Sequence, residues 1–225
     1  MVHWACKYVP SASCPCILEV GSGNGTLLLG LLDAEYPPER LCGIDYSAGS
    51  VQLARSVSAA RGGDNISFHL CDFLKDDPPK LPSMLQEANT DWDLIMDKGT
   101  FDAIGLMEKD SNGMTPADGY PPKIGRLLKL GGYFLITCTP PNVCFFDSHL
   151  TILHLQYEAC NFTEEELKAK FANPQTGLMY HSRIQHATYT FGGKSGTICS
   201  SVAFRKSIGT STKKDFEDEI SPLKD

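Results

Sequence analysis

A turn built on alternating glycines constrains this chain more than any other stretch. Ile17-Leu18-Glu19-Val20 is a short, mostly apolar run, Gly21-Ser22-Gly23-Asn24-Gly25 follows it, and Thr26-Leu27-Leu28-Leu29 opens an apolar helical pattern. That order predicts strand, tight turn, helix. Glycine at alternate positions lets the backbone turn sharply and come close to a ligand, and the first turn of the helix offers free N–H groups. A dinucleotide site would need Gly-x-Gly-x-x-Gly, whose last glycine lets helix and strand pack closely beneath a pyrophosphate. Thr26 stands in that place, which argues against a dinucleotide. Glu19, two residues ahead of the first glycine, suits a cationic cofactor better than a pyrophosphate.

The rest of the chain supplies strands and helices around this turn. It has 225 residues, 42% hydrophobic and 21% charged, which suits one α/β domain with a sizeable core. Residues 16–20 read as the first strand and 24–35 as a helix, ended by Pro37-Pro38. A second strand over 41–45 ends in Asp45, 24 residues after Gly21. An acid at that strand tip accepts hydrogen bonds from ribose hydroxyls in Rossmann-like folds. Ser47 reads as the N-cap of a helix over 48–61. Ile66 to Leu70 alternates as a third strand, with Cys71-Asp72-Phe73 at its C-terminal end, where ligands of such sheets sit. A short helix near 83–88 precedes a fourth strand, Trp92-Asp93-Leu94-Ile95-Met96-Asp97, which runs straight into Lys98-Gly99-Thr100-Phe101-Asp102-Ala103-Ile104. A helix over 116–129 and a fifth strand over 130–138 follow. Thr163 and Glu166 form a capping-box pair at the start of a helix ending near Phe171. Residues 178–190 and 197–206 read as two antiparallel strands joined through a glycine turn.

The acid-x-Gly-x-Gly-x-Gly pattern of Leu18 to Gly25 resembles that of class I, Rossmann-like S-adenosylmethionine-dependent methyltransferases. Together with Gly43-Ile44-Asp45-Tyr46-Ser47, Cys71-Asp72-Phe73, Asp97-Lys98-Gly99-Thr100-Phe101-Asp102-Ala103-Ile104 and Tyr189-Thr190-Phe191-Gly192-Gly193-Lys194-Ser195-Gly196, it is similar to the methyltransferases that modify lysine on translation elongation factor 1-alpha, fungal relatives included. The resemblance covers roughly residues 16–138 and 160–206. It implies a seven-stranded, mostly parallel sheet with a C-terminal antiparallel hairpin and helices on both faces. It implies S-adenosyl-L-methionine as cofactor, held by Glu19, Gly21, Ser22, Gly23, Gly25, Asp45, Tyr46, Asp72, Phe73 and Asp97. Within that set Tyr46 would lie against the adenine, Asp72 would accept the adenine amino group, and Phe73 would add apolar contact. Asp97 would also position the substrate amine, as the catalytic residue of a protein-lysine N-methyltransferase whose partner is elongation factor 1-alpha. Two rivals share these cofactor residues: a methyltransferase for a small metabolite, and a catalytically impaired cofactor-binding domain.

Charge and cysteine content bound the alternatives. The formal charge of -7 argues against a broad nucleic-acid-binding face. Nine cysteines, an odd number without a C-x-x-C pair, read as free thiols in a reducing compartment. No apolar run approaches the roughly 20 residues that span a bilayer, and no signal-peptide core precedes the first strand. The expectation is a cytoplasmic protein without membrane, nucleic-acid or metal partners; His149 and His154 lack companions for a metal site. Residues 1–15 show no period and read as an irregular segment, shorter than the one the resembling proteins carry there. Residues 139–159 depart from the pattern, as either a retained intron or a lineage-specific loop. Residues 207–225 read as a disordered, solvated tail.

Overall fold

The computed structural model describes residues 1–87, 91–109, 111–138, 162–191, 194–197 and 199–208. The 139–159 departure and nearly all of the 207–225 tail lie outside them.

Five strands, β1 (Ile17–Val20), β2 (Leu41–Asp45), β3 (Ser67–Leu70), β4 (Trp92–Lys98) and β5 (Leu128–Cys138), run parallel. Two more, β6 (Leu178–Ile184) and β9 (Ser200–Lys206), complete a seven-stranded sheet of order β3-β2-β1-β4-β5-β9-β6, in which β9 is antiparallel to both neighbours. The order reverses direction between β1 and β4. That switch point opens a crevice outside the carboxyl ends of the strands, where open α/β sheets bind their ligands.

Both faces are covered, so the central strands read as near-continuous apolar runs. On one face α1 (Val2–Tyr8), α2 (Thr26–Asp33) and α3 (Ala48–Ala59) pack on Ile17, Leu94, Met96 and Leu135. On the other, α4 (Pro82–Gln86), α5 (Thr100–Gly105), α6 (Tyr120–Leu127) and α7 (Glu164–Phe171) cover Leu18, Val20, Ile95 and Ile136. Each such fully buried aliphatic side chain contributes about 1.5–3 kcal/mol relative to exposure. The strand that leads into the glycine turn is thereby held between two packed layers.

Three segments differ from expectation. Residues 1–15 are not irregular: α1 forms, followed by a 3-10 turn at Ser11–Ser13. Seven residues are too few to display a period, and a helix this short is held by tertiary packing rather than by propensity. The packing is supplied by Trp4, 6% exposed, whose indole N–H donates to Ser182 Oγ at 3.0 Å within a ring cluster of Tyr8, Tyr133 and His181. Next, the helix read over 116–129 divides into a 3-10 turn, Pro116–Gly119, and α6, with Pro121 in the first helical turn; β5 starts at Leu128 rather than 130. Finally, the C-terminal hairpin is two ladders. The β6–β9 pair belongs to the main sheet and carries a register shift between Tyr180 and Ser182. Beyond it, β7 (Thr188–Phe191) and β8 (Lys194–Thr197) form a separate two-stranded ribbon.

Candidate functional site

The glycine turn is tied to β2 through backbone donors. Ser22 N–H donates to Ile44 O at 2.9 Å, Gly23 N–H to Asp45 Oδ2 at 2.9 Å, and Gly25 N–H to Ser22 O at 2.8 Å. Asp45, 7% exposed, also accepts from Ser47 N–H through Oδ1 at 2.9 Å. One carboxylate thus fixes both the turn after β1 and the cap of α3. Each of its oxygens retains acceptor capacity, since a carboxylate offers about four lone-pair sites. The turn needs glycine at position 21 twice over. Its φ is +68°, and a β-carbon there would stand 1.9 Å from Thr100 Oγ1. At Gly25, φ is +77° and a β-carbon would meet the Phe68 ring at 2.9 Å.

Glu19 lies in the middle of β1, 2% exposed, with Ser22 at 5% nearby in the turn. Burial pushes the Glu19 carboxyl up to about 8, opposed by the charge of Lys98 and by a hydrogen bond from the Leu28 backbone. Glu19 Oε2 and Ser22 Oγ have no hydrogen-bond partner. A buried, unpartnered oxygen costs about 1–3 kcal/mol. Two of them beside a ligand-sized turn fit a cationic ligand with donors of its own, which agrees with the cofactor the resemblance implies.

The neighbouring strand tips divide. Tyr46, directly after β2, is 82% exposed, and its ring is free to cover a ligand. Asp72, beyond β3, accepts from Leu74 N–H through Oδ1 at 3.1 Å, while Oδ2 pairs with Lys75 at 2.8 Å; that bond to Lys75 holds its carboxyl below the usual carboxylate range. The Phe73 ring is buried. It is 5% exposed in the core, 5.0 Å from the Tyr120 ring and beneath Lys123 Nζ at 4.8 Å.

Asp97 sits one strand over, its Cα paired with that of Val20 at the end of β1. Its side chain is fully buried. Oδ1 accepts from Thr100 N–H at 2.8 Å, and Oδ2 accepts from Phe101 N–H at 3.0 Å and from the Tyr120 hydroxyl at 2.5 Å. The carboxylate therefore organises the turn that opens α5 rather than presenting itself at the surface. Burial raises Asp97 to about 7, against the lowering effect of those three donors. The sequence reading missed Tyr120, which follows 23 residues later with no local signal. The capping bond itself is signalled by the three-residue spacing from Asp97 to Thr100.

A second polar group lies at the ends of β5, β6 and β9. Thr137, the Cα partner of Lys98, shares a hydrogen bond with Ser201 Oγ at 2.7 Å, and Ser201 Oγ meets His186 Nε2 at 2.8 Å. Two surface cavities of about 470 and 390 Å³ lie against α3 and β3, the larger lined by Ala48, Val51, Arg55 and Leu70 and the other by Arg55, Ser58, Phe68 and His69. Among the described residues, no group of three His, Cys, Asp or Glu side chains could hold a metal ion, and no helix is long and apolar enough to cross a membrane.

Residues 15–211 match the methyltransferase domain family. The chain is 31% identical to the protein-lysine N-methyltransferase efm4 of Schizosaccharomyces pombe and 34% identical to the protein-lysine N-methyltransferase EFM4 of Saccharomyces cerevisiae, each over 84% of its own length and over 68% and 69% of theirs. It is 30% identical to the EEF1A lysine methyltransferase 2 of Homo sapiens, over 84% of its own length and 65% of the human protein. Among solved structures, the CcbJ methyltransferase from Streptomyces caelestis superposes with a TM-score of 0.62 at 16% identity, covering 92% of this chain and 89% of that one. The glycopeptide N-methyltransferase MtfA, in complex with (S)-adenosyl-L-homocysteine, does so with a TM-score of 0.59 at 14% identity, covering 91% and 87%. These two likenesses are of fold.

Proposed function

From the premise that the chain belongs to the methyltransferase domain family, we propose that it is a protein-lysine N-methyltransferase acting on translation elongation factor 1-alpha in the cytoplasm, with S-adenosyl-L-methionine as methyl donor. The substrate is the one the human relative's name states. The observation that carries the reading is the pairing of two turns at the switch point. The 21–25 turn, closed on Asp45, stands beside the turn that Asp97 organises, with Val20 and Asp97 in register.

When bound, S-adenosyl-L-methionine supplies a methyl group on a positively charged sulfur. The residues that would hold it are the backbone of the 21–25 turn, with Glu19 and Ser22 offering their unpartnered oxygens. Asp45 would accept from the ribose, Tyr46 would lie against the adenine, and Asp72 would accept its amino group. What remains for the protein is to place a lysine amine in line and to keep it neutral. Lysine has an ordinary pKa of about 10.4, so desolvation at the site must favour the neutral amine. Asp97 serves by shaping the 97–100 turn, against which the amine is presented. Enclosed by its three donors, it does not take the lysine proton directly. Holding the reactants in line is the larger part of the work.

The test is two measurements. Calorimetry with S-adenosyl-L-methionine should show binding, whereas none at millimolar cofactor would leave the impaired-domain rival standing. Purified elongation factor 1-alpha incubated with labelled cofactor should gain label on lysine, located by mass spectrometry. Label entering only small molecules of a cell extract would favour the metabolite enzyme.

A further inference from the structure

The Thr100 hydroxyl takes no part in the function set out above, yet through it this residue touches both turns. Its N–H donates to Asp97 Oδ1 at 2.8 Å, and its hydroxyl donates to the Val20 carbonyl at 2.9 Å. Val20 is the last residue of β1 and leads straight into the 21–25 turn; Thr100 is the first residue of α5 and closes the turn after β4. The neighbouring N–H, that of Gly99, is turned the other way and donates to Thr137 O at 3.0 Å. The Thr100 hydroxyl therefore adds a rung between β1 and β4 beyond the end of their ladder. Its side chain also lies against Gly21: a β-carbon at that glycine would be 3.0 Å from both Thr100 Cβ and Cγ2 as well as 1.9 Å from Oγ1. A β-branched side chain is stiff at χ1, so the hydroxyl is held both on Val20 and over Gly21, with Cβ and Cγ2 packed beside it.

We propose that Thr100 is a positioning residue whose hydroxyl fixes the turn presenting the acceptor amine against the turn holding the methyl donor. The proposal rests on the function proposed above. In an in-line transfer the donor and acceptor turns contribute separate reactants, and a misplacement of about 1 Å between them costs roughly 100-fold in rate. Neither Asp45 nor Asp97 sets that relation, since Asp45 ties the donor turn to β2 and Asp97 ties the acceptor turn to α5 and Tyr120. Thr100 joins the two turns directly.

Thr100→Val keeps the shape and removes the hydroxyl; Thr100→Ser keeps the hydroxyl. Thr100→Val should lower kcat for lysine methylation by about ten-fold or more while the Kd for S-adenosylhomocysteine stays within about three-fold, and Thr100→Ser should stay near wild type. Amide hydrogen exchange gives a readout that needs no protein substrate. Adding S-adenosylhomocysteine to the wild type should protect amides of both turns, 21–26 and 98–101. In Thr100→Val it should protect the first alone. Unchanged kcat in Thr100→Val, equal protection of both turns in that variant, or a Kd that weakens as steeply as kcat falls would each overturn the proposal. If Thr100→Val does not fold, Thr100→Ala against Thr100→Ser puts the same question to the hydroxyl. A wild type that binds S-adenosylhomocysteine yet methylates no elongation factor would sink the proposed function instead, and the exchange experiment would still decide the role of Thr100.

Discussion

Glu19 stores a proton that the folded chain keeps and the unfolded chain gives up. Its carboxyl ionises at 4.5 in the ordinary case and at about 8 here, because burial penalises the charged form. Between those values the native state binds more protons than the unfolded state, so stability falls as pH rises through the window. Asp97, raised from 3.8 to about 7 by burial, acts in the same sense. The urea midpoint of the ligand-free protein should therefore decline from about pH 5 to about pH 8, and Glu19→Gln should decline less steeply. A variant with the wild-type slope would remove Glu19 from this account. The sequence revealed Glu19 because its position ahead of the glycines is a pattern. It did not reveal what encloses Asp97, because the Tyr120 hydroxyl arrives from 23 residues downstream and local spacing carries no trace of it. Phe73 is a case of the same kind: the sequence places its ring next to a strand-tip acid and carries no sign that it packs on Tyr120.

Elements with a full period are readable, and those held by distant contacts are not. β2 reads as 41–45 and occupies Leu41–Asp45; α7 begins where the Thr163–Glu166 capping box places it. In contrast, α1 has seven residues, and its anchor lies far along the chain. Trp4 reaches Ser182 across 178 positions, and the Tyr36 hydroxyl donates to Val9 O at 2.7 Å beyond the helix end. If the helix exists because Trp4 is buried, then Trp4→Ala should cost about 3–5 kcal/mol and expose the amides of α1 to hydrogen exchange before those of α2. Trp4→Phe should keep most of the apolar burial and lose the bond to Ser182, at about 0.5–1.5 kcal/mol. Urea unfolding of the two variants checks the order, and equal losses would show that the hydrogen bond, not the burial, holds α1 in place.

At the scale of the whole molecule the fold is a way of bringing strand ends together. Four tips are legible in the sequence because each is an acid or a glycine after an apolar run: Gly21, Asp45, Asp72 and Asp97. Their arrangement is not, since the order β3-β2-β1-β4-β5-β9-β6 follows from crossovers whose helices pack on two faces. Asp45 tests whether that convergence serves a ligand or merely the chain. It makes two backbone bonds, one to Ser47 two residues on and one to Gly23 in the turn after β1, both at the carboxyl end of β2. Asp45→Ala should therefore unfold cooperatively with a stability within about 1–3 kcal/mol of the wild type. Ligand binding is a separate quantity. A ligand at about 100 times its Kd stabilises the native state by about 2.7 kcal/mol, so S-adenosylhomocysteine should raise the unfolding midpoint of the wild type and leave that of Asp45→Ala almost unmoved at the same concentration. If the variant gains the full shift, Asp45 does no more than turn the chain, and the cofactor must be held from the β1 and β4 side of the switch point, where Glu19 and Ser22 keep their unpartnered oxygens.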